Sequence, residues 1–373
     1  MIFKNANVFN GKEFVPGEFA VSGGKFVEVR NVSDHASTDL SGAYVIPGLI
    51  DIHTHGNSGA DFSDGDLDGL KMMSKFYLRN GVTSFCPTSL TLPYDVLGKA
   101  FETAKRLADN PESDGARVIG IHMEGPYFSE KAKGAQNPEY LKNPDYEGFK
   151  KLYDDCGGLI RLVDIAPELE HAVEFTEKVS RFTTVSVAHT AGTYNDASRV
   201  FDAGASHLTH LFNGMTTIHH RNPGVIEASS ERDNVMAELI CDGLHVHESV
   251  IRLAFKLFPE RICLISDSLR CAGMPDGEYM IGGQKCRLKN NIAKLADGHI
   301  AGSASNVHQC LLNVIQFGID KAVAINAATI NPARSIGLDN LLGSITPGKL
   351  ADFIVCDESL ENFKAIYKEG RLV

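Results

Sequence analysis

Several of the 14 histidines in this 373-residue chain follow apolar runs rather than sitting in polar loops. VIPGLIDIHTHG, from Val45 to Gly56, reads as a buried strand that stops on His53 and His55. Their i, i+2 spacing puts both side chains on one strand face. Glu124 follows the apolar start of GIHMEGPYF, His189 closes VSVAHT, His210 lies in THLFNG, His245 in CDGLHV and Asp267 in CLISDS. Imidazole and carboxylate together suit zinc, iron, manganese or cobalt, whereas calcium or magnesium would ask for more oxygen ligands.

A carboxylate such as Glu124 is rarely buried without a partner. A salt bridge is one such partner, and a metal held among neutral imidazoles is the better one. His122 shares the strand face of Glu124 and reads as packing or support for a ligand. Asp267 is of the type that takes a proton from an activated water and returns one to a leaving group. Its bland alternative is a helix N-cap. In THLFNGMTTIHHRNPG, Asn213, Gly214, His219, His220 and Arg221 offer amides and a guanidinium to an anion, if they are more than a solvated surface.

These residues matter together only if the fold brings them together. Eight candidate strands run Val45 to His53, Val82 to Thr88, Arg117 to Glu124, Ile160 to Ala166, Thr184 to His189, His207 to Phe212, Val235 to Cys241 and Arg261 to Ser266. Helix-period segments such as YDVLGKAFETAKRLAD and ESVIRLAFKLFPE separate them. This alternation predicts a (β/α)8 TIM-like barrel over residues 45–344, with the candidate residues at the C-terminal strand ends that converge on one mouth. The rival, a doubly wound open sheet, needs a glycine-rich phosphate loop after its first strand, and DIHTHGNSGADF is not one. Residues 1–44 and 345–373 carry short strands and turns without helical period, and neither could bury a core alone. They are expected to pair as one small β-sandwich domain.

Composition narrows the function classes. The chain is 43% hydrophobic and 22% charged, with a net charge of -11, which argues against a nucleic-acid or anionic-membrane partner. No apolar run is long enough to span a bilayer, and MIFKNANVFNGKEF has no signal-peptide core, so a cytoplasmic protein is expected. The 8 cysteines are scattered without a C-x-x-C pair, which suggests neither a zinc ribbon nor a disulfide framework.

In order and spacing, PGLIDIHTHG, HMEGPYF, AHT, THLFNGM, HHRNPG, CDGLHV, SDS and the late ATINPARSIGL with GSITPGKLADFIV resemble the N-acetylglucosamine-6-phosphate deacetylases of the amidohydrolase superfamily. The H-x-H and the late N-P-A pattern mark only the superfamily. H-M-E-G-P, L-F-N-x-M and H-H-R-x-P-G are more specific to the deacetylase. The resemblance implies metal-dependent hydrolysis of the acetamide of N-acetylglucosamine 6-phosphate to glucosamine 6-phosphate and acetate. It makes Glu124, His189 and His210 the main metal ligands and His53 and His55 the pair that helps to hold a second ion, so that one or two divalent ions (Zn, Fe, Mn or Co) are expected per subunit. Asp267 matches the catalytic acid/base. Ala135, Gln136, Asn213, Gly214, Arg221, the Asp242, Gly243, Leu244 and His245 turn, and Ala301, Gly302 and Ser303 match substrate contacts. Arg221 is implied to hold the phosphate, reaching in from the neighbouring subunit of a homodimer.

Two departures stand out. Gln136 takes the place of a histidine that some members use to position the acetamide carbonyl, and SDSLRCAG replaces the commoner T-D-A-M, adding Arg270 near the mouth. The galacto epimer of the substrate remains an alternative. A cyclic amidase would bring a carboxylated lysine where this chain has Glu124, and a non-catalytic barrel scaffold would be expected to lose ligands that are all present.

Overall fold

The computed structural model describes residues 1–31, 36–281, 284–295, 298 and 300–373. The apolar runs become eight parallel barrel strands: strand 1, Leu49–Thr54; strand 2, Val82–Ser89; strand 3, Ile121–Tyr127; strand 4, Ile160–Ile165; strand 5, Thr184–Val187; strand 6, His207–Leu208; strand 7, Met236–Ile240; strand 8, Ile262–Ile265. Strands 2 to 8 pair in sequence order and strand 1 pairs with strand 2. Strands 8 and 1 meet through Asp267 N donating to His53 O at 3.0 Å and His55 N donating to Ser268 O at 2.9 Å, with Ser266 Oγ donating to Asp51 Oδ2 at 2.6 Å.

The strands read as continuous apolar runs because both faces are covered. Inward, Ile50, Ile52, Cys86, Leu162, Ile240 and Ile265 fill the lumen, and Ala333, Ile336 and Leu342 close its floor. Outward, residues such as Phe85, Met123 and Leu239 pack against the surrounding helices. Several helices start at side-chain caps: Asp66 on Leu67–Arg79, Asp145 on Tyr146–Asp155 and Thr193, with a reciprocal bond from Asp196, on Tyr194–Asp202.

The terminal strands form one mixed sheet around a core of aromatics. Phe19 and Phe353 lie 5.0 Å apart although two strands separate their own, so the sheet curls on itself. Phe26 N donating to Lys349 O and Ala351 N donating to Gly24 O, both at 2.9 Å, tie the edge strand Lys25–Val27 to the segment that leads into Phe353–Cys356.

The structure corrects three boundaries. The expected strand from Val45 to His53 is two strands: Tyr44–Pro47 pairs with Ile2–Phe9 and Phe353–Cys356 in the terminal sheet, and only Leu49–Thr54 belongs to the barrel. The terminal sheet therefore takes the chain to Pro47. Gly48 makes the passage because the chain runs against strand 2, where an added Cβ would stand 2.2 Å from Thr83 Oγ1. The expected strand from Arg117 to Glu124 also divides, into Arg117–Val118 and Ile121–Tyr127, so Glu124 is mid-strand. Strand 6 is only two residues long, and His210 follows it. After strand 8, Gly277–Ile281, Gln284–Lys289, Ile292–Leu295 and Ile300–Ser303 form an antiparallel sheet that periodicity did not reveal. Among the described residues, no helix is long and apolar enough to cross a membrane.

Candidate active site

The chain leaves strands 5, 6 and 8 through His189, His210 and Asp267, all with left-handed backbone (φ 42°, 31° and 46°). Such conformations are uncommon for residues with a Cβ and persist where surrounding bonds over-determine them. Here Ser129 N donates to His189 O, Asn213 N to His210 O and Ser303 N to Asp267 O. The turns aim all three side chains at Glu124. Gly214, at φ 61°, lies so close to His189 that a Cβ would sit 2.9 Å from Nδ1.

Two ligand groups share Glu124. In one, His189 Nε2 and His210 Nε2 lie 3.1 and 3.2 Å from Glu124 Oε1 and 3.1 Å from each other. In the other, His55 Nε2 is 3.3 Å from both Glu124 Oε2 and Asp267 Oδ1. His53 Nε2 stands 3.7 Å from Glu124 Oε1 and 3.6 Å from Asp267 Oδ1. Ligands at 2.0–2.1 Å in tetrahedral array are about 3.3 Å apart, so these spacings are those of donors around an ion.

The other ring nitrogens settle which lone pairs are free. His189 Nδ1 faces Ala132 O at 2.9 Å and His55 Nδ1 faces Thr88 O at 3.1 Å. Carbonyls only accept, so each Nδ1 carries the proton and each neutral ring presents a bare Nε2 to the cluster. His53 does the same through Glu238, and its fully buried Nε2 has no hydrogen-bond partner. A buried orphan of this kind is costly unless it is a ligand, so the residues fit a divalent cation.

Electrostatics agree. Burial depresses the His55 and His210 imidazoles, but Asp267 and Glu124 beside the first, and chiefly Glu124 beside the second, lift both to about 9. Burial likewise works against the charge on Glu124 and Asp267, yet the neighbouring histidines hold both carboxyls below their ordinary values. The cluster thus demands positive charge, which a metal ion supplies in place of protons.

A cavity of about 230 Å³ stands over the cluster. His55, Glu124, His189, His210 and Asp267 line it, with Ala135, Gln136, Asn213, Gly214, His245, Ala301 and Gly302. His53 lies beneath. Gln136 bridges Glu124 Oε2 and Thr91 N, both at 2.8 Å. Asp242 accepts from His245 Nδ1 at 2.8 Å and so orients that ring rather than lining the wall. Gly243 and Leu244 are exposed outside it, and Ser303 backs Asp267. Arg221 stands in an exposed turn, where its N–H donates to His219 Nδ1, and it does not line the cavity of its own chain. Among the described residues, no Lys or Arg lines that cavity. Arg270 points instead to Asp64 Oδ1 at 2.8 Å and Asp61 Oδ2 at 3.7 Å.

Sequence reasoning missed the supports. Glu238, on strand 7, is wholly buried and meets His53 Nδ1 at 2.8 Å, His207 Nε2 at 3.2 Å and His210 N at 3.2 Å. Its signal was available: a carboxylate inside the apolar VMAELIC, as informative as Glu124. Glu168 accepts from Thr190 Oγ1 and Ala191 N, the residues after His189. His122 faces Ile52 O and Asp164 Oδ1 with its two nitrogens, which leaves no lone pair for an ion.

The model of the amidohydrolase family matches residues 44–373. The chain is 37% identical to the N-acetylglucosamine-6-phosphate deacetylase of Bacillus subtilis (strain 168), covering 85% of this chain and 81% of the relative. It is 35% identical to the N-acetylgalactosamine-6-phosphate deacetylase of Escherichia coli O157:H7, over 90% of this chain and 89% of the relative. Among solved structures, a mutant N-acetyl-D-glucosamine-6-phosphate deacetylase from Mycobacterium smegmatis in complex with N-acetyl-D-glucosamine-6-phosphate superposes with a TM-score of 0.92 at 29% identity, covering 100% of this chain and 98% of that one.

Proposed function

The chain belongs to the amidohydrolase family, and we propose that it hydrolyses the acetamide of N-acetylglucosamine 6-phosphate to glucosamine 6-phosphate and acetate. One observation carries the reading: Asp267 Oδ1 lies 3.3 Å from His55 Nε2, at the edge of a Glu124-centred ligand cluster that opens into a cavity. This proximity supports a reading in which a proton carrier stands beside a Lewis-acid site.

Glu124, His189 and His210 would hold one divalent ion, and His53 and His55 with Glu124 would hold a second where both sites fill; Zn, Fe, Mn and Co suit this donor set. When bound, such an ion polarises a carbonyl and acidifies water. Asp267 Oδ1 accepts the proton of the attacking water and delivers it to the departing nitrogen. A carboxyl with the ordinary aspartate pKa of about 4 is ionised at neutral pH, so Asp267 is available as the base. His245, held at Nδ1 by Asp242, turns its other nitrogen to the substrate. Gln136, tied to Glu124 and Thr91, stands where it can meet the acyl oxygen. Asn213 and the Gly214 backbone contact the sugar, and Ala301 and Gly302 close over it.

The phosphate needs a cation, and among the described residues no Lys or Arg lines the cavity. Arg221 supplies it from the neighbouring subunit of a homodimer, fixing the sugar so that the carbonyl meets the nucleophile in reacting geometry. The protein acts in the cytoplasm on this small phosphorylated substrate, with neither a nucleic-acid nor a membrane partner.

A second reading, deacetylation of the galacto epimer, is favoured by the similarity to the Escherichia coli enzyme of that name. Acetate release from the gluco and galacto 6-phosphates and from free N-acetylglucosamine, with metal measured on the same sample, tests both. Fastest release from the gluco phosphate is expected. Faster release from the galacto epimer selects the second reading, and no release from either phosphate overturns both.

A further inference from the structure

On the reading above, the substrate's acyl chain must leave the reacting carbonyl in a definite direction. The barrel order sets it. Asn213 and Gly214 follow strand 6 and His245 follows strand 7, so the polar groups that suit a sugar stand on that side of the cavity. Strand 2 is four staves from strand 6, on the opposite side of the mouth, and the residue that follows it is Leu90. Leu90 continues into an apolar wall with Leu269, after strand 8, and Ile281, from the antiparallel sheet.

Leu90 is also fixed close to the chemistry. Its N–H donates to Ser63 Oγ at 3.0 Å, and the next residue, Thr91, donates to the Gln136 that bonds Glu124. Behind it lies a second cavity of about 290 Å³, lined by Leu90, Leu92, Val96 and Met280 and also by Ser63 and the ion-paired Asp61, Asp64 and Arg270. Among the described residues, Leu90 alone is common to the walls of these two cavities.

We propose that Leu90 sets the length of the N-acyl group this enzyme accepts, and that the cavity behind it is an acyl-chain subsite closed by the Leu90 side chain. An acetyl group ends in one methyl and fits against Leu90. A butanoyl or hexanoyl chain, leaving in the same direction, meets the Leu90 side chain first. Shortening that side chain joins the two cavities, and Leu92 and Val96 then offer apolar contact to the added methylenes, each worth about a fourfold gain when buried.

The experiment compares kcat/KM for N-acetyl-, N-butanoyl- and N-hexanoyl-glucosamine 6-phosphate in the wild type, Leu90→Ala, and Leu90→Ala with Val96→Phe. The milder Leu90→Val is included in case Leu90→Ala fails to fold, with Tm and metal content measured for all. The wild type is expected to lose at least about tenfold on going from acetyl to butanoyl. Leu90→Ala should raise the hexanoyl-to-acetyl ratio by at least about tenfold, Leu90→Val should raise the butanoyl-to-acetyl ratio, and Val96→Phe should abolish the hexanoyl gain. Unchanged ratios in a folded, metal-bearing Leu90 variant overturn the proposal, as does a hexanoyl gain that survives Val96→Phe. A wild type that releases no acetate overturns the underlying reading instead, so the two failures are distinct.

Discussion

His53 Nδ1 and Glu238 Oε2 are bonded at 2.8 Å, and neither side chain reaches solvent. The bond assigns the ring's proton to Nδ1 and leaves Nε2 directed at Glu124 and Asp267. Glu238 Oε2 also accepts from His210 N at 3.2 Å, and Oε1 lies 3.2 Å from His207 Nε2, so one buried carboxylate steadies a residue from each of the two candidate ligand groups.

Glu238→Leu should therefore weaken metal binding about 10- to 100-fold, the usual cost of losing a ligand's hydrogen-bonded support. Glu238→Gln keeps an acceptor for His53 Nδ1 and should lose less than about tenfold. Metal titration of the stripped protein measures both. Equal affinity in Glu238→Leu and the wild type would remove Glu238 from this role.

Replacing His53 and His55 together with alanine should cost a metal equivalent before it costs the fold. Elemental analysis should find one ion fewer per chain than in the fully loaded wild type, while Glu124, His189 and His210 keep theirs. Chelation should lower Tm in both proteins, since an ion bound only to the native state at 1,000 times its Kd stabilises by about 4 kcal/mol. An unchanged metal count in the double variant contradicts the assignment.

Asp242 and His245 make the pH-dependent pair of the rim. Burial depresses the His245 imidazole, but the Asp242 hydrogen bond and charge outweigh it and hold the pKa above the ordinary 6.5. A raised folded-state pKa stabilises fully below about 6.5 and is lost as pH climbs through the folded value. In Asp242→Asn the hydrogen bond and charge that outweigh burial are gone and only the more distant Asp267 charge still raises the ring, so His245 should titrate lower than in the wild type in an NMR pH series. The stability gap between wild type and variant should narrow as pH rises from 6 through the folded value. A His245 titration that does not move contradicts the pairing.

Arg221→Ala should reduce kcat/KM on the 6-phosphate far more than on free N-acetylglucosamine. Mixing it with an inactive Asp267→Asn chain should restore activity, because the mixed dimer holds one site with an intact Asp267 faced by a partner's intact Arg221. Equal losses on both substrates, or no restoration, contradict a phosphate contact across the dimer.

The barrel was legible because its strands are covered on both faces and so run apolar without alternation, and because their ends carry residues that an apolar run does not otherwise tolerate. His53, His55, Glu124, His189, His210 and Asp267 all betrayed themselves in this way. What escaped depends on distant chain. Pro47 gave no sign of leaving the barrel run, since its partner Phe353 lies some 300 residues on. The helix Tyr146–Asp155 hid in the charged YEGFKKLYDD, where only Asp145 marks its start. Glu238 escapes because it marks no strand end: its carboxylate acts from the middle of Met236–Ile240, beneath the candidate ligands. Motif order alone points Arg221 and Ser303 to the substrate; the fold sets Ser303 behind Asp267 and Arg221 outside the wall of its own chain's cavity.

The central claim is that Asp267 moves the proton in amide hydrolysis at the Glu124 cluster. Its most direct test is acetate release from N-acetylglucosamine 6-phosphate by the wild type and Asp267→Asn at equal, measured metal content. The account expects acetate and glucosamine 6-phosphate in equal amounts from the wild type, and a kcat lower by about 10²- to 10⁴-fold in the variant, with substrate still bound. Near-normal turnover by a metal-matched Asp267→Asn would contradict it.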